Sequence, residues 1–283
     1  MTCWGFSPGT KGKRLGEECI HGLDNGLCDA CFPKARPEVA VAAVVTKPRV
    51  TRPRPAPLTA PRRPVSSAAA ASADDIGQQR IYHLTHVSNL ASILEHGIRA
   101  DAAEASPSVD ISSEDNRNSR RTIVVNDDGA TVASYVPFFI SPTSSVWESV
   151  RTRAADPRLS LDDHSVPADY VLLVSSVKTV VDANEAEAEA PVVVTDGDAA
   201  HALTRFATTR DAGERVLRKL RADDETGRIL AAELLVKDSV PFELISLIAV
   251  ANDRARNAVK AIQKTAGNTT RVAIHPPWFQ VGE

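Results

Sequence analysis

The stretch Arg80–Gly97, RIYHLTHVSNLASILEHG, decides the fold, because a strand, a turn and a bounded helix follow one another within it. Ile81 and Tyr82 favour extended backbone, while Leu90, Ile93 and Leu94 recur at helical spacing and would bury one stripe. Ser88 or Asn89 is expected to cap the helix, since a short oxygen-bearing side chain accepts its free N–H groups, and Gly97 is expected to end it in a left-handed conformation. His83, Thr85, His86 and Asn89 fall between strand and helix, where their polar atoms could converge on an anionic or amide-bearing ligand. The competing reading makes the histidines ordinary packed or solvated residues.

Working outward, the 283 residues are 43% hydrophobic, enough for one or two globular domains. No run approaches the roughly eighteen apolar residues of a membrane span, and MTCWGFSPGTKGK lacks the apolar centre of a secretory signal, so a cytoplasmic protein without membrane attachment is expected. The net charge of −3 is uneven: residues 35–64 hold seven Lys or Arg against Glu38 alone, a net +6, and residues 1–34 balance at zero. Residues 65–283 therefore carry −9, which excludes a uniformly basic nucleic-acid clamp.

All four cysteines lie within the first 31 residues, and Cys19, His21, Cys28 and Cys31 form C-x-H-x6-C-x2-C. Thiolate and imidazole are ligands that zinc prefers, and four of them close a structural site without room for a catalytic water. A segment of residues 1–34 would take most of its folding energy from the metal; Cys3 is an alternative to His21, and a loose tail with incidental cysteines is the bland reading. Residues 35–79 read as a linker, with prolines at 37, 48, 53, 55, 57, 61 and 64 and an Ala run at 68–71. Its arginines, among them Arg49, Arg52, Arg54, Arg62 and Arg63, could follow a phosphate backbone or simply solvate a spacer.

Within residues 80–283 the expected order is mixed α and β without regular alternation, hence an α+β domain. Arg117, Arg120 and Arg121 cluster before an expected strand at 122–125, which suits oxyanion recognition or a solvated basic face. YVPFFIS at 135–141 reads as a strand with Pro137 at an edge or bulge, 144–153 as a helix, and DYVLLVS at 169–175 as a central strand. Helical periodicity is read at 199–206 and 212–220. In RILAAELLVKDSV, residues 228–240, Glu233 interrupts an apolar run; a buried unpaired carboxylate costs several kcal/mol, so this one needs a partner, a catalytic role or an edge position. A strand at 246–251, a helix at 253–264 and a strand at 271–274 complete the chain.

Taken together and in order, YHLTHVSNLASILEHGI, NRNSRRTIVV, YVPFFISPTS and AELLVKDSVPFELI resemble the DarT-type DNA ADP-ribosyltransferases, toxins of toxin–antitoxin pairs, over about residues 80–250. The resemblance implies a split mixed sheet around an NAD cleft, and pentosyl transfer of ADP-ribose from NAD+ to a base in single-stranded DNA with release of nicotinamide. It implies that Glu233 is the catalytic glutamate, that Arg120 matches the essential arginine with Arg121 as its close alternative, and that His83, Thr85, His86, Asn89 and Arg121 belong to the NAD-binding element. Tyr135 and Phe138 would shape the cleft wall. A carboxylate beside the ribose stabilises its developing oxocarbenium charge, while an arginine holds the diphosphate. Family members modify thymine or guanine, and the R-x2-R-R spacing, which departs from the thymine branch, favours guanine. A macrodomain-type antitoxin is the implied partner. The competing hypotheses are a zinc-dependent nucleic-acid or protein adaptor, and a transferase acting on RNA or protein.

Overall fold

The computed structural model describes residues 75–103, 107–161, 164–184, 191–223 and 227–280. The cysteine segment with Cys19, His21, Cys28 and Cys31, most of the linker, and the acidic stretch 185–190 lie outside the described residues. Asp75 caps a 3-10 turn, Ile76–Gln78, and Ile76 is buried in the core, so the folded domain takes in residues that the composition had assigned to the linker.

Ten strands and six α-helices follow among the described residues: β1 (Arg80–His86), α1 (Leu90–His96), β2 (Ile98–Arg99), α2 (Glu114–Thr122), β3 (Tyr135–Phe139), α3 (Ser145–Thr152), β4 (Tyr170–Ser176), α4 (Val177–Asn184), β5 (Val192–Thr195), β6 (Phe206–Ala207), α5 (Arg210–Ala222), β7 (Glu233–Lys237), β8 (Ser239–Val240), β9 (Leu247–Val250), α6 (Asp253–Ala266) and β10 (Arg271–Ile274). Eight strands form one sheet in the order β10-β9-β4-β1-β3-β7-β5-β6, and β2 pairs with β8 apart from it. Only β9 and β10 run parallel, so the sheet is mixed and the α+β expectation holds.

The sheet is split in its middle. β1 matches β4 along its whole length and β3 matches β7 from Tyr135 to Phe139, yet β1 and β3 meet at the single pair Tyr82↔Phe139. Beyond that pair the His83 side chain bridges the gap, its Nδ1–H donating to the Pro137 carbonyl at 2.9 Å. Pro137, expected at an edge or bulge, instead occupies a central strand. Its carbonyl, and with it the position where an N–H would be, faces the split, so the missing donor breaks no ladder bond.

Apolar side chains on the two faces build separate cores. Ile81, Leu90, Ile93, Phe138, Leu173, Leu234 and Val259 join one face of the sheet to α1 and α6, while Leu84, Trp147, Tyr170, Leu172 and Phe279 join the other to α3 and the C-terminal turn. Trp147 is fully buried, with its ring edge-on to Phe279 and its indole N–H donating to the Trp278 carbonyl.

Three local expectations are corrected. The helix entry is capped by His86, whose Nδ1 accepts from the Ser88 N–H, and not by Ser88 or Asn89; the Asn89 side chain is occupied elsewhere. Residues 114–122, which hold the arginines, are helical, and 122–125 do not form a strand beyond the bridge Val124↔Thr131. Ser113 accepts from the Asn116 N–H, Glu114 and Asp115 sit at the positive end of the dipole, and Arg120 and Arg121 sit at the negative end, so capping and charge outweigh the apolar content that follows. Residues 199–203 form turns and not a helix, because the Ala200 N–H donates to the Asp198 carboxylate and the Thr204 hydroxyl donates to the Asp198 carbonyl.

Gly97 ends α1 with φ 76°, and a Cβ added there would stand 2.7 Å from the Val240 carbonyl oxygen. Positive φ and backbone contact together forbid a side chain. Gly97→Ala is expected to lower unfolding free energy by more than about 1 kcal/mol in denaturant titration.

Candidate active site

The split opens into a cavity of about 530 Å³, and six of the seven residues that the resemblance assigns to catalysis or NAD binding line it: His83, Thr85, His86, Asn89, Arg120 and Glu233. Arg121, the seventh, does not line it; half-exposed, it pairs at 2.9 Å with Asp101, which does. Arg120 and Arg121 therefore divide by helix geometry: adjacent positions lie on different faces, and of these two only Arg120 lines the cleft. Tyr135 also lines the cavity, whereas Phe138 is wholly buried in the core beside His83, 5.7 Å from its ring, and is not a wall residue.

Glu233 opens β7 opposite Phe139 and is 4% exposed. Its N–H donates to Thr195 Oγ1 at 2.8 Å, and its Oε1 accepts from the Ala199 N–H at 3.0 Å. Arg120 Nη1, from the last turn of α2, stands 3.2 Å from Oε2. Burial pushes the Glu233 carboxyl above its ordinary range, the Arg120 guanidinium pulls it back, and the nearby Asp198 carboxylate pushes it up again. Arg120 Nη2 is buried and makes no hydrogen bond, leaving a charged donor for an oxyanion.

The histidine stretch divides its tasks. Burial holds His83 below the ordinary imidazole range, so it is neutral at pH 7, and its Nδ1–H on Pro137 leaves Nε2 as an acceptor. The His86 ring stands edge-on to Tyr170 at 5.3 Å. Asn89, 7% exposed, grips the opposite wall: Nδ2 donates to the Val109 carbonyl at 2.8 Å and Oδ1 accepts from the Val109 N–H at 3.0 Å, while Nδ2 also reaches Thr85 Oγ1 at 3.2 Å. Tyr135 is pushed up to about 12 by burial and by Asp128 and Asp238, so its phenol stays protonated.

Sequence reasoning missed Asp156, Arg158 and Asp198. Arg158 forks onto Asp156, with Nε to Oδ1 at 2.9 Å and Nη2 to Oδ2 at 2.6 Å, and its Nη1 reaches Asp198 Oδ2 at 2.8 Å. The Arg158 hydrogen bonds hold the Asp156 carboxyl down at about 2. Forty residues separate Arg158 from Asp198, and neither stands in an apolar run, so the sequence carries no signal comparable to that of Glu233.

A split mixed sheet with a buried Glu–Arg pair at its cleft is the arrangement that the sequence resemblance implies for an ADP-ribosyltransferase. A family model described as "DarT: ssDNA thymidine ADP-ribosyltransferase, DarT" matches residues 82–280, and the chain belongs to this family. A DNA ADP-ribosyl transferase of Thermus aquaticus is 29% identical over 194 residues, covering 64% of this chain and 79% of the relative. Another, from Mycobacterium tuberculosis, is 28% identical over 214 residues, covering 70% and 88%. Among solved structures, Thermus sp. 2.9 DarT in complex with ADP-ribosylated ssDNA superposes with a TM-score of 0.60 at 25% identity, over 71% of this chain and 96% of the other. The same protein in complex with NAD+ gives 0.59 at 26%, over 71% and 98%. The chain is thus an NAD+-dependent DNA ADP-ribosyltransferase. Among the described residues no helix is long and apolar enough to cross a membrane, and no cluster of His, Cys, Asp and Glu could hold a metal ion.

Asn89→Ala is expected to leave the Val109 N–H and carbonyl without their partner. The variant should lose about 1–3 kcal/mol of stability and raise KM for NAD+, as read by denaturant titration and initial rates.

Proposed function

We propose that the chain transfers ADP-ribose from NAD+ to thymine in single-stranded DNA, with Glu233 as the catalytic carboxylate and Arg120 as the arginine that holds the dinucleotide. The observation that carries this reading is the buried Arg120–Glu233 pair, 3.2 Å apart at the sheet split. The C1′–nicotinamide bond breaks with its electron pair going to the pyridinium ring, which leaves neutral. The cationic ribose is stabilised by the Glu233 carboxylate. In DNA the thymine ring has one N–H, at N3, since N1 carries the deoxyribose. The N3–C1′ bond forms as the N3 proton passes to Glu233 and on to solvent. Arg120 Nη2 supplies the donor for a phosphate or ribose oxygen, and the neutral His83 offers Nε2 to a ribose hydroxyl.

The guanine preference expected from the arginine spacing finds no support. The three arginines take separate partners, Arg117 on Asp110, Arg120 on Glu233 and Arg121 on Asp101, so their spacing is no base-reading unit, and the family description names thymidine. Arg121 stands at the margin of the proposed NAD site, half-exposed and paired with the cavity-lining Asp101. A macrodomain-type antitoxin that removes the ADP-ribose is the proposed partner, supported by membership of this toxin family. Cys19, His21, Cys28 and Cys31 are proposed to hold a structural zinc, supported by their spacing; metal analysis of the full chain should find about one zinc, lost in Cys28→Ser.

With NAD+ and two oligonucleotides, one thymine-free and one with thymine as its only modifiable base, mass spectrometry should find one added ADP-ribosyl group on the second alone. Glu233→Gln should slow that transfer by about 10²–10⁴-fold. Addition to the thymine-free strand would refute the base assignment, and a Gln variant at full rate would refute the residue.

A further inference from the structure

Arg120 and Glu233 come from elements 113 residues apart, and their mutual position is not set by a shared strand or helix. One short segment contacts the supports of both. The main-chain carbonyl of Arg158 accepts from the Ser113 N–H at 2.9 Å, and the Pro157 carbonyl accepts from the Ser113 hydroxyl at 2.6 Å. Ser113 is the N-cap of the helix that carries Arg120. On the other side, the Arg158 guanidinium holds Asp198, and the next residue, Ala199, donates its N–H to Glu233 Oε1 at 3.0 Å. Asp156 fixes the guanidinium from behind with a two-point fork, and Ser145 Oγ accepts from Nη1 at 3.3 Å.

We propose that Arg158 is a positioning residue, which sets the separation of Arg120 from Glu233 by tying the cap of the Arg120 helix and the turn beneath Glu233 to one point. The inference rests on the reading of Arg120 and Glu233 as the catalytic pair. Asp156 and Asp198 have side chains only 5% and 21% exposed, so without the guanidinium between them two carboxylates would face each other with little water to screen them. The turn at 198–199 would then move off, and the Ala199 N–H would leave Glu233. A displacement of about 1 Å at a reacting group is enough to cost on the order of 10²-fold in rate.

Arg158 and Asp198 also line the cavity, so a direct contact with substrate is the competing account, and steady-state kinetics separates the two. Arg158→Gln, Arg158→Lys, Asp198→Asn and the double Arg158→Gln/Asp198→Asn are assayed for kcat and for KM towards NAD+ and single-stranded DNA, beside Glu233→Gln. The expected result for Arg158→Gln and Asp198→Asn is a kcat about 10–100-fold down with KM for NAD+ within about threefold of wild type. Because both act through one link, the double variant should be no slower than the slower single. Arg158→Lys should lie between, since an ammonium can neutralise the pair of carboxylates but cannot fork onto Asp156 and reach Asp198 together. If Arg158→Gln does not fold, Asp198→Asn carries the test alone, because it leaves the Arg158–Asp156 fork intact. Wild-type kcat in Asp198→Asn, a raised KM with kcat kept, or single losses that multiply in the double variant would each overturn the proposal. Full activity in Glu233→Gln would instead overturn the catalytic assignment on which it rests.

Discussion

The Glu233 carboxylate is held almost out of water, and everything around the cleft is arranged by that constraint. Desolvation disfavours the charged form, and removing the partner of such a buried charge typically costs about 3–5 kcal/mol. Arg120 and the Ala199 N–H together supply the compensation. Glu233 lies opposite Phe139, the residue at which the β1–β3 ladder ends, so the pair stands beside the gap in the sheet. The gap in turn requires a substitute for the missing ladder bonds, which the His83–Pro137 hydrogen bond provides.

The same constraint explains why a polar stretch sits at the centre of an otherwise apolar sheet. Of the residues of β1 and the turn that follows it, His83 spans the split, His86 caps the turn, and Asn89 with Thr85 secures the 107–111 wall. Their side chains are largely committed to holding the cleft open in one shape. Binding to a preformed cleft avoids part of the ordering cost that a loosely held site would incur at the moment of binding.

Local signals carried much of this. The strand and helix of Arg80–Gly97, the buried run at Tyr170–Ser176 and the carboxylate in the run before Lys237 were legible, because each combines periodicity with a residue whose burial demands a reason. The family resemblance added the pairing of Glu233 with an arginine, but the choice between Arg120 and Arg121 had to wait for helix phase, since residues 114–122 had not been recognised as helical. Pro137 misled because edge placement of proline presumes an unbroken sheet. The turn at 198–205 misled because alanine and leucine imitate a helix when the Asp198 and Thr204 side chains, which capture the backbone, are ignored. Arg158 was invisible for a different reason: its partners are fixed only by tertiary structure.

The most direct test of the account is to titrate the Glu233 carboxyl itself, by carbon NMR or infrared difference against Glu233→Gln, in the wild type and in Arg120→Ala. Burial should place its midpoint above that of free glutamate, about 4.3. Removing the Arg120 charge, which favours the ionised form, should raise the midpoint further. A midpoint in the ordinary carboxylate range, or one that does not move when Arg120 is removed, would contradict the claim that a buried Arg120–Glu233 pair is the centre of this site.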